Sequence, residues 1–176
     1  NYTVTDAHDY TVSLSVMDND NCWGYASTSV VLDEGPSSLP LTMNFVGDVM
    51  LARRYEQYGG IIPTLGVNAI FSPTLPILGE GADISVANLE VVLSNVGSPH
   101  PTKSVVYRGN PANVSGLTFA GIDVVSLANN HTMDYGLSAL QQMQGNLTTA
   151  GIIYSGAAED SYNAYLPAFI NRKGIN

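Results

Sequence analysis

The sequence predicts an α/β protein with a mainly parallel sheet, preceded by a small β-hairpin. Three mostly apolar runs, at residues 43–46, 84–87 and 124–128, indicate the strands, because strands buried on both faces of a parallel sheet lack polar alternation. Helical segments lie between and after these runs, and residues 136–150 form the strongest of them. Strands that alternate with helices along the chain are typical of a layered α/β fold.

A different pattern at the amino terminus predicts the hairpin. Residues 10–16 and 26–32 alternate with a period of two, and the turn-forming cluster 18–21 separates them. The Gly- and Pro-containing stretch that follows has the composition of a linker. We therefore expect three segments, which are a hairpin or partial sandwich at 1–35, a linker at 36–40 and an α/β domain at 41–176.

The hairpin resembles the closing strands of a PKD-type immunoglobulin-like domain, through YTV at 10–12 and VMDND at 16–20. A complete sandwich of that kind needs about seven strands, and an isolated hairpin is only marginally stable in water. The hairpin is therefore expected to pack on the α/β domain, to be completed by another chain, or to be the remainder of a longer protein.

Glycine and proline divide the α/β domain into further elements. Gly121 and Gly151 stand where helices end, since glycine readily takes the left-handed conformation found there. Pro73 and Pro76 interrupt the segment 68–78 and make it a weak helix. The other expected elements are a loop or short helix at 49–58, an edge strand at 105–107, a helix at 113–120, strands at 152–154 and 166–171, and the helix 136–150 with Leu137, Leu140, Met143 and Leu147 on one face.

Composition and charge exclude several classes of partner. The net charge of −9 argues against nucleic-acid binding, which needs a basic face. The sequence has no run of about 18 apolar residues, so it predicts no membrane span. It has no GxGxxG or P-loop motif, so it predicts no nucleotide cofactor. The lone Cys22 excludes an intrachain disulfide. The polar, lysine-poor surface is common in secreted proteins, and sequons mark Asn1, Asn113 and Asn146 as glycosylation sites.

Polar side chains follow each of the three apolar runs. In an open α/β sheet, ligands bind in the crevice outside the carboxyl ends of the strands, so these side chains converge if the strands are neighbours. Carboxylate oxygens and an imidazole suit a divalent metal ion, and the amides suit a phosphate-like anion. Taken singly, each residue could instead close a turn or cap a helix. The residues concerned are Asp48, Asn88, Glu90, Asn129, Asn130, His131 and Asp134.

Residues 42 to about 170 resemble the amino-terminal half of the CapA family, the bacterial capsule or poly-γ-glutamate synthesis proteins. The element Asn130-His131 is also similar to the Gly-Asn-His element of calcineurin-like metallophosphoesterases, in which the Asn ligates a metal and the His stabilises phosphoryl oxygens. The segments that carry the resemblance to CapA are FVGDVML at 45–51, ADI at 82–84, ANLE at 87–90, GNP at 109–111 and GIDVVSLANNHTMDYG at 121–136.

This resemblance implies a metallophosphoesterase-like fold, which is incomplete in this chain because the family continues with further strands and a His-rich element. It implies catalytic and metal-ligating roles for Asp48, Glu90 and His131. It implies binding roles for four further residues, which are Asn88, Asn129, Asn130 and Asp134. Asp134 would either orient His131 or cap the helix that follows.

The resemblance also implies a place and a role. It puts the protein outside the cell or at its surface, in the synthesis, export or anchoring of an anionic capsule polymer, with a divalent metal ion as the expected cofactor. The alternative is a non-catalytic surface or filament subunit. Such a subunit would associate with itself or with another surface chain by strand addition at the hairpin.

Overall fold

A computed structural model describes residues 2–4, 10–17, 23–30 and 40–176. The predicted turn at 18–21, most of the linker and the sequon at Asn1 lie outside these residues. The strands are β1 (Tyr2–Val4), β2 (Tyr10–Met17), β3 (Trp23–Val30), β4 (Leu41–Val49), β5 (Ile84–Leu89), β6 (Val92–Leu93), β7 (Arg108–Gly109), β8 (Val124–Ser126) and β9 (Ile153–Ser155). The helices are α1 (Ile61–Leu65), α2 (Asn68–Phe71), α3 (Leu75–Leu78), α4 (Val114–Ala120), α5 (Gly136–Thr149) and α6 (Ser161–Ala164).

A five-stranded sheet organises the α/β domain, and it confirms the predicted fold class. Its strand order is β1-β4-β5-β8-β9. β4, β5, β8 and β9 run parallel to their neighbours, whereas β1 joins β4 in the antiparallel direction. The three predicted strands that precede polar residues are therefore adjacent, so their carboxyl ends meet at one edge of the sheet.

Two small sheets complete the strand pairing. β2 and β3 form the predicted antiparallel hairpin over all eight residues of each strand, from Tyr10 opposite Val30 to Met17 opposite Trp23. β6 and β7 are a short parallel pair. β1 lies within the segment that the sequence assigned to the hairpin unit, yet its partner is β4, so the amino terminus contributes a strand to the α/β sheet.

The hydrophobic core lies between the sheet and its helices. α5 contributes Ala139, Leu140, Met143 and Leu147, all of which are completely buried. Leu137, which was predicted to share this face, is 39% exposed. At 3.6 residues per turn Leu137 lies about 60° beyond Leu140, on the side away from Ala139, so it falls outside the buried stripe.

Three further predictions about elements are wrong, and each has a local cause. The expected strand at 166–171 has no regular structure; Pro167 within it cannot donate a backbone hydrogen bond to a sheet. The expected strand at 105–107 is replaced by β7, because the Tyr107 backbone N–H donates to Asp134 instead of to a strand. β4 is not buried on both faces, since Phe45 is 58% exposed beyond the short partner β1.

The other predicted elements agree with the structure. Helical turns surround Pro73 and Pro76, and a short 3-10 helix at Ser72–Thr74 separates α2 from α3. Gly121 ends α4 with φ 73°, and Gly151 follows α5 with φ 74°. Among the described residues, no helix is both long enough and apolar enough to cross a lipid bilayer.

Candidate active site

A β-bulge in β4 places the first site residue. The parallel register with β5 shifts by one residue between Phe45 and Asp48, so that Asp48 comes to lie opposite Asn88. The Asn88 amide donates to Asp48 Oδ1 at 2.8 Å. Bulges of this kind redirect a side chain at the end of a strand. Here the bulge brings the carboxylate of β4 into the crevice beside the polar end of β5.

The two amides at the strand ends connect the three strands. Asn129 Nδ2 donates to Asn88 Oδ1 at 3.0 Å and to the Leu89 carbonyl at 3.0 Å. Asn129 Oδ1 accepts from the His131 backbone N–H at 3.0 Å. Asp48, Asn88 and Asn129 therefore form one hydrogen-bonded row across β4, β5 and the loop after β8. Both amides support neighbouring side chains and backbone, whereas Asn130 is exposed and its Nδ2 lies 3.4 Å from His131 Nε2.

Glu90 lies beside Asp48, and the two carboxyl groups influence each other. The pKa of Glu90 is raised, first by partial burial of the side chain and then by the nearby Asp48, which repels its charge and lies within hydrogen-bonding reach. His131 acts in the opposite direction but more weakly. Two carboxyl groups that share a site favour uptake of a cation or of a proton.

His131 is buried and held in one orientation. Its Nδ1 lies 2.7 Å from Asp134 Oδ2, and its Nε2 lies 4.0 Å from Glu90 Oε1. A carboxylate accepts hydrogen bonds, so Asp134 holds the proton on Nδ1 and the Nε2 atom faces Glu90. The sequence left two roles open for Asp134. The structure favours orientation of His131, because α5 begins after Tyr135 without a side-chain cap.

Asp134 also anchors the loop of residues 94–107, which lies next to His131. The carboxylate is fully buried, and it accepts from Lys103 Nζ at 2.7 Å and from the Tyr107 backbone N–H at 2.6 Å. The Asp134 carbonyl accepts from the His100 backbone N–H at 2.8 Å. One side chain thus holds the imidazole and the loop together.

Sequence reasoning missed the aromatic and cationic residues around His131. The Tyr107 ring stacks on the His131 ring with 4.0 Å between centroids and 27° between planes. Arg53 Cζ lies 5.0 Å from the centroid of the Tyr107 ring. Lys103 is one of two lysines in the chain, and that rarity was the available signal for it. Tyr107 carries no signal in a single sequence.

One predicted glycosylation site is contradicted by the fold. Asn113 is 5% exposed, and its amide donates to the Leu51 carbonyl at 3.1 Å and to Glu56 Oε1 at 2.8 Å. A glycan cannot be accommodated at a buried amide that is used in this way. Asn146 on α5 is partly exposed, and glycosylation there stays a prediction.

The types of ligand atom at the crevice suit a hard divalent cation. Asp48 and Glu90 supply carboxylate oxygens and His131 supplies an oriented Nε2 atom. Their present arrangement is looser than a formed metal site. In the part of the chain that the structure describes, no three or more His, Cys, Asp or Glu side chains are grouped closely enough to hold an ion.

A match to a protein-family model shows which family the chain belongs to. Residues 42–176 match the family model described as bacterial capsule synthesis protein PGA_cap, and this match covers the α/β domain from β4 onward, with the crevice. The chain belongs to the PGA_cap family. Asp48, Glu90, His131 and Asp134 all fall within the PGA_cap match.

Curated relatives of this PGA_cap chain carry related names. The probable polyglutamine synthesis accessory protein of Mycobacterium tuberculosis is 36% identical over 88 residues, which are 50% of this chain and 23% of that protein. The capsule biosynthesis protein CapA of Bacillus anthracis is 28% identical over 138 residues, or 77% of this chain and 33% of that protein. The PGA biosynthesis protein CapA of Bacillus subtilis is 28% identical over 118 residues, or 66% and 30%. The matched part of the chain spans a third or less of the length of these relatives.

Proposed function

We propose that this PGA_cap domain acts outside the cell in the synthesis, export or anchoring of an anionic capsule polymer of the poly-γ-glutamate type. We propose further that a divalent cation bound by Asp48, Glu90 and His131 assists it. The observation that carries this proposal is the juxtaposition of Asp48 and Glu90 at the carboxyl ends of adjacent strands, with an oriented His131 beside them. The names of the relatives support the class of polymer.

The chain's own residues divide the work at this site. Asp48 and Glu90 supply negative charge where a cation is needed, and Asn88 fixes Asp48 through its amide. Asp134 keeps the His131 proton on Nδ1, so that Nε2 can accept a proton or bind the cation. Glu90, with its raised pKa, can exchange a proton with a reacting group. A bound cation would polarise an anionic oxygen of the polymer.

The distribution of basic side chains supports an anionic ligand. Six Lys and Arg residues occur in a chain of net charge −9. Arg172 and Lys173 pair with acidic residues at the amino edge of the sheet, and Lys103 pairs with an acidic residue at the carboxyl edge. Arg53 and Arg108 are exposed in segments that follow β4 and β5, and no ion pair is recorded for them among residues 40–176, so these two guanidinium groups are available to an anionic chain.

Calorimetric titration of the metal-free protein with Mn²⁺ tests the cation. We expect binding to the unmodified protein and at least a tenfold loss of affinity in Asp48→Asn and in Glu90→Gln, because each variant removes one charge from the site. Glu80→Gln is the matched control, since Glu80 is exposed on the turn before β5 at the opposite edge. Equal affinity in all variants, or no binding by the unmodified protein, would contradict the metal-dependent site.

A second function is favoured by the hairpin. Within the described residues, β2 and β3 form a two-stranded sheet that no third strand extends, so each strand presents an outer edge. Exposed edges pair readily with strands of other chains. On this second proposal the chain is a surface or filament subunit, and light scattering over a range of concentrations should reveal assemblies larger than a monomer. A monomer at every concentration would contradict strand addition between copies of this chain.

A further inference from the structure

Arg53 is built into the candidate site through a stack of two rings. Its guanidinium carbon lies 5.0 Å from the centroid of the Tyr107 ring, and that ring stacks on His131 at 4.0 Å. Tyr107 is itself fixed by its backbone N–H, which donates to the buried Asp134 carboxylate. The guanidinium is thus one ring away from the imidazole, on a platform that the fold holds in place.

The backbone of Arg53 has an uncommon conformation that serves this placement. Its φ is 57°, and Arg53 and Lys173 are the two non-glycine residues with positive φ that the structure records. For a residue other than glycine, the left-handed region is energetically unfavourable. The turn holds this conformation, because the Arg53 carbonyl accepts from the backbone N–H groups of Glu56 and Gln57 at 3.0 Å each. Strained residues of this kind concentrate at binding sites.

The charge of Arg53 is not committed to any described acidic side chain. The ion pairs recorded for residues 40–176 engage Lys103, Arg172 and Lys173 but not Arg53, which is exposed. Among residues 40–176 the recorded hydrogen bonds of arginine side chains involve Arg54 and Arg172 and not Arg53, so the N–H edge of the Arg53 guanidinium is available. That edge matches two oxygens of one carboxylate or phosphoryl group.

We propose that Arg53 binds an oxyanion of the ligand, a carboxylate or a phosphoryl group, next to the position where His131 acts. Tyr107 holds the guanidinium and the imidazole at a fixed spacing. On a polymer with repeated anionic groups, Arg53 therefore selects the unit beside the one that reaches His131. This proposal rests on the proposed function for the identity of the polymer, but oxyanion binding by Arg53 requires no metal ion.

Arg54 provides a matched control for the test. It is the next residue, carries the same charge and also stacks on a tyrosine, with Cζ 5.0 Å from the Tyr55 ring centroid. Its Nη2 donates to the Tyr55 hydroxyl at 3.0 Å, a bond that raises the pKa of Arg54. Arg54 is therefore occupied within its own turn, away from the stack on His131.

The experiment measures binding of a short γ-glutamyl oligomer, and separately of inorganic phosphate, by calorimetry with chelator present. We expect Arg53→Ala to weaken binding of at least one probe about tenfold or more, because a charge-assisted pair is lost. Arg53→Lys should restore part of this affinity, and Arg54→Ala should change it less than about twofold. The probe that depends on Arg53 identifies the oxyanion as carboxylate or phosphoryl.

Three results would overturn the inference. They are no binding of either probe, equal loss in Arg53→Ala and Arg54→Ala, and full affinity in Arg53→Ala. Thermal denaturation of each variant shows whether it is folded, and Arg53→Lys, which keeps the charge, reports on geometry if Arg53→Ala is unstable. Because chelator is present, a failure of the Mn²⁺ titration and a failure of this experiment are separate outcomes.

Discussion

The two edges of the sheet use acidic residues in opposite ways. At the amino edge, Asp83 accepts from the Thr42 backbone N–H at 2.9 Å and pairs with Lys173 at 2.8 Å. Asp123 likewise accepts from the Ser85 backbone N–H and pairs with Arg172. At the carboxyl edge, Asp48 and Glu90 face each other instead. The sheet thus has one edge where acidic charge is neutralised and one where it accumulates.

The pKa values of the acidic groups follow this division. The pKa of Asp83 is lowered to about 2, chiefly by its hydrogen bond with Lys173 and then by the Thr42 backbone. The pKa of Glu90 is raised by burial and by Asp48. A lowered pKa marks a carboxylate that stabilises the fold, whereas a raised one marks a group that the fold holds in an unfavourable charge state. The direction of the pKa shift thus separates structural from candidate functional residues among side chains that all carry a carboxyl group.

Asp134 lies at the carboxyl edge but, unlike Asp48 and Glu90, is neutralised by its partners. Its removal should reduce the stability of the protein more than the other substitutions considered below. It is fully buried and accepts from Lys103, Tyr107 and His131. Asp134→Ala should lower the free energy of unfolding by about 3–5 kcal/mol, because it leaves the partly buried Lys103 ammonium and buried donors without their acceptor. Urea denaturation measures this loss.

Asp160→Ala is the matched control for that prediction. Asp160 is exposed, and its carboxylate caps α6 by accepting from the Asn163 backbone N–H at 2.8 Å. Loss of such a cap costs about 1 kcal/mol. If the two variants lose similar stability, Asp134 does not organise the site in the way that its contacts indicate.

A smaller loss of stability is expected from a substitution at the amino edge. Asp83→Asn should destabilise the protein by up to about 1 kcal/mol at neutral pH, since an ion pair open to solvent contributes little more than this. The folded pKa lies below the ordinary value of 3.8, so the contribution is present above pH 4 and is lost as the pH falls towards 2. Thermal denaturation between pH 7 and pH 2 should show the two proteins converging at low pH. A constant difference across this range would exclude the charge of Asp83 as its cause.

The smallest expected effect is a gain in stability rather than a loss. Glu90→Gln should stabilise the metal-free protein by a few tenths of a kcal/mol at neutral pH, because it removes repulsion from Asp48. The folded pKa of Glu90 is raised, so its favourable contribution exists at low pH and is lost as the pH rises through that value. The gain from the substitution should therefore vanish below pH 4 in the same denaturation series. Destabilisation at neutral pH would show that Glu90 is structural.

The sequence predicted which residues lie at the carboxyl edge of the sheet better than it predicted how their side chains are arranged there. Strand ends are encoded locally, so the apolar runs before Asp48, Asn88 and Asn129 were sufficient to place these residues at strand ends, whereas their convergence depended on the strand order. The bulge that turns Asp48 towards Asn88 depends on the register between two strands. Tyr107 reaches His131 through a loop whose position is set by Asp134. Such long-range contacts leave no periodic pattern in one sequence.

The wrong predictions of burial and strand pairing also arise from contacts that are distant in sequence. Phe45 reads as a core residue from its strand, but its exposure depends on the length of the neighbouring strand β1. Residues 166–171 are apolar enough for a strand, yet Pro167 and the absence of a described partner strand keep them irregular. Local hydrophobicity indicates that a segment can be buried, and its neighbours in space determine whether it is.

The buried carboxylate of Asp134 also has a consequence for motion. Lifting the 94–107 loop would break its bonds to Lys103, Tyr107 and the His100 backbone together, so the loop opens in one concerted event or not at all. The amide protons of His100 and Tyr107 should then exchange with solvent as slowly as those of α5. The loop therefore forms a stiff wall of the crevice beside His131.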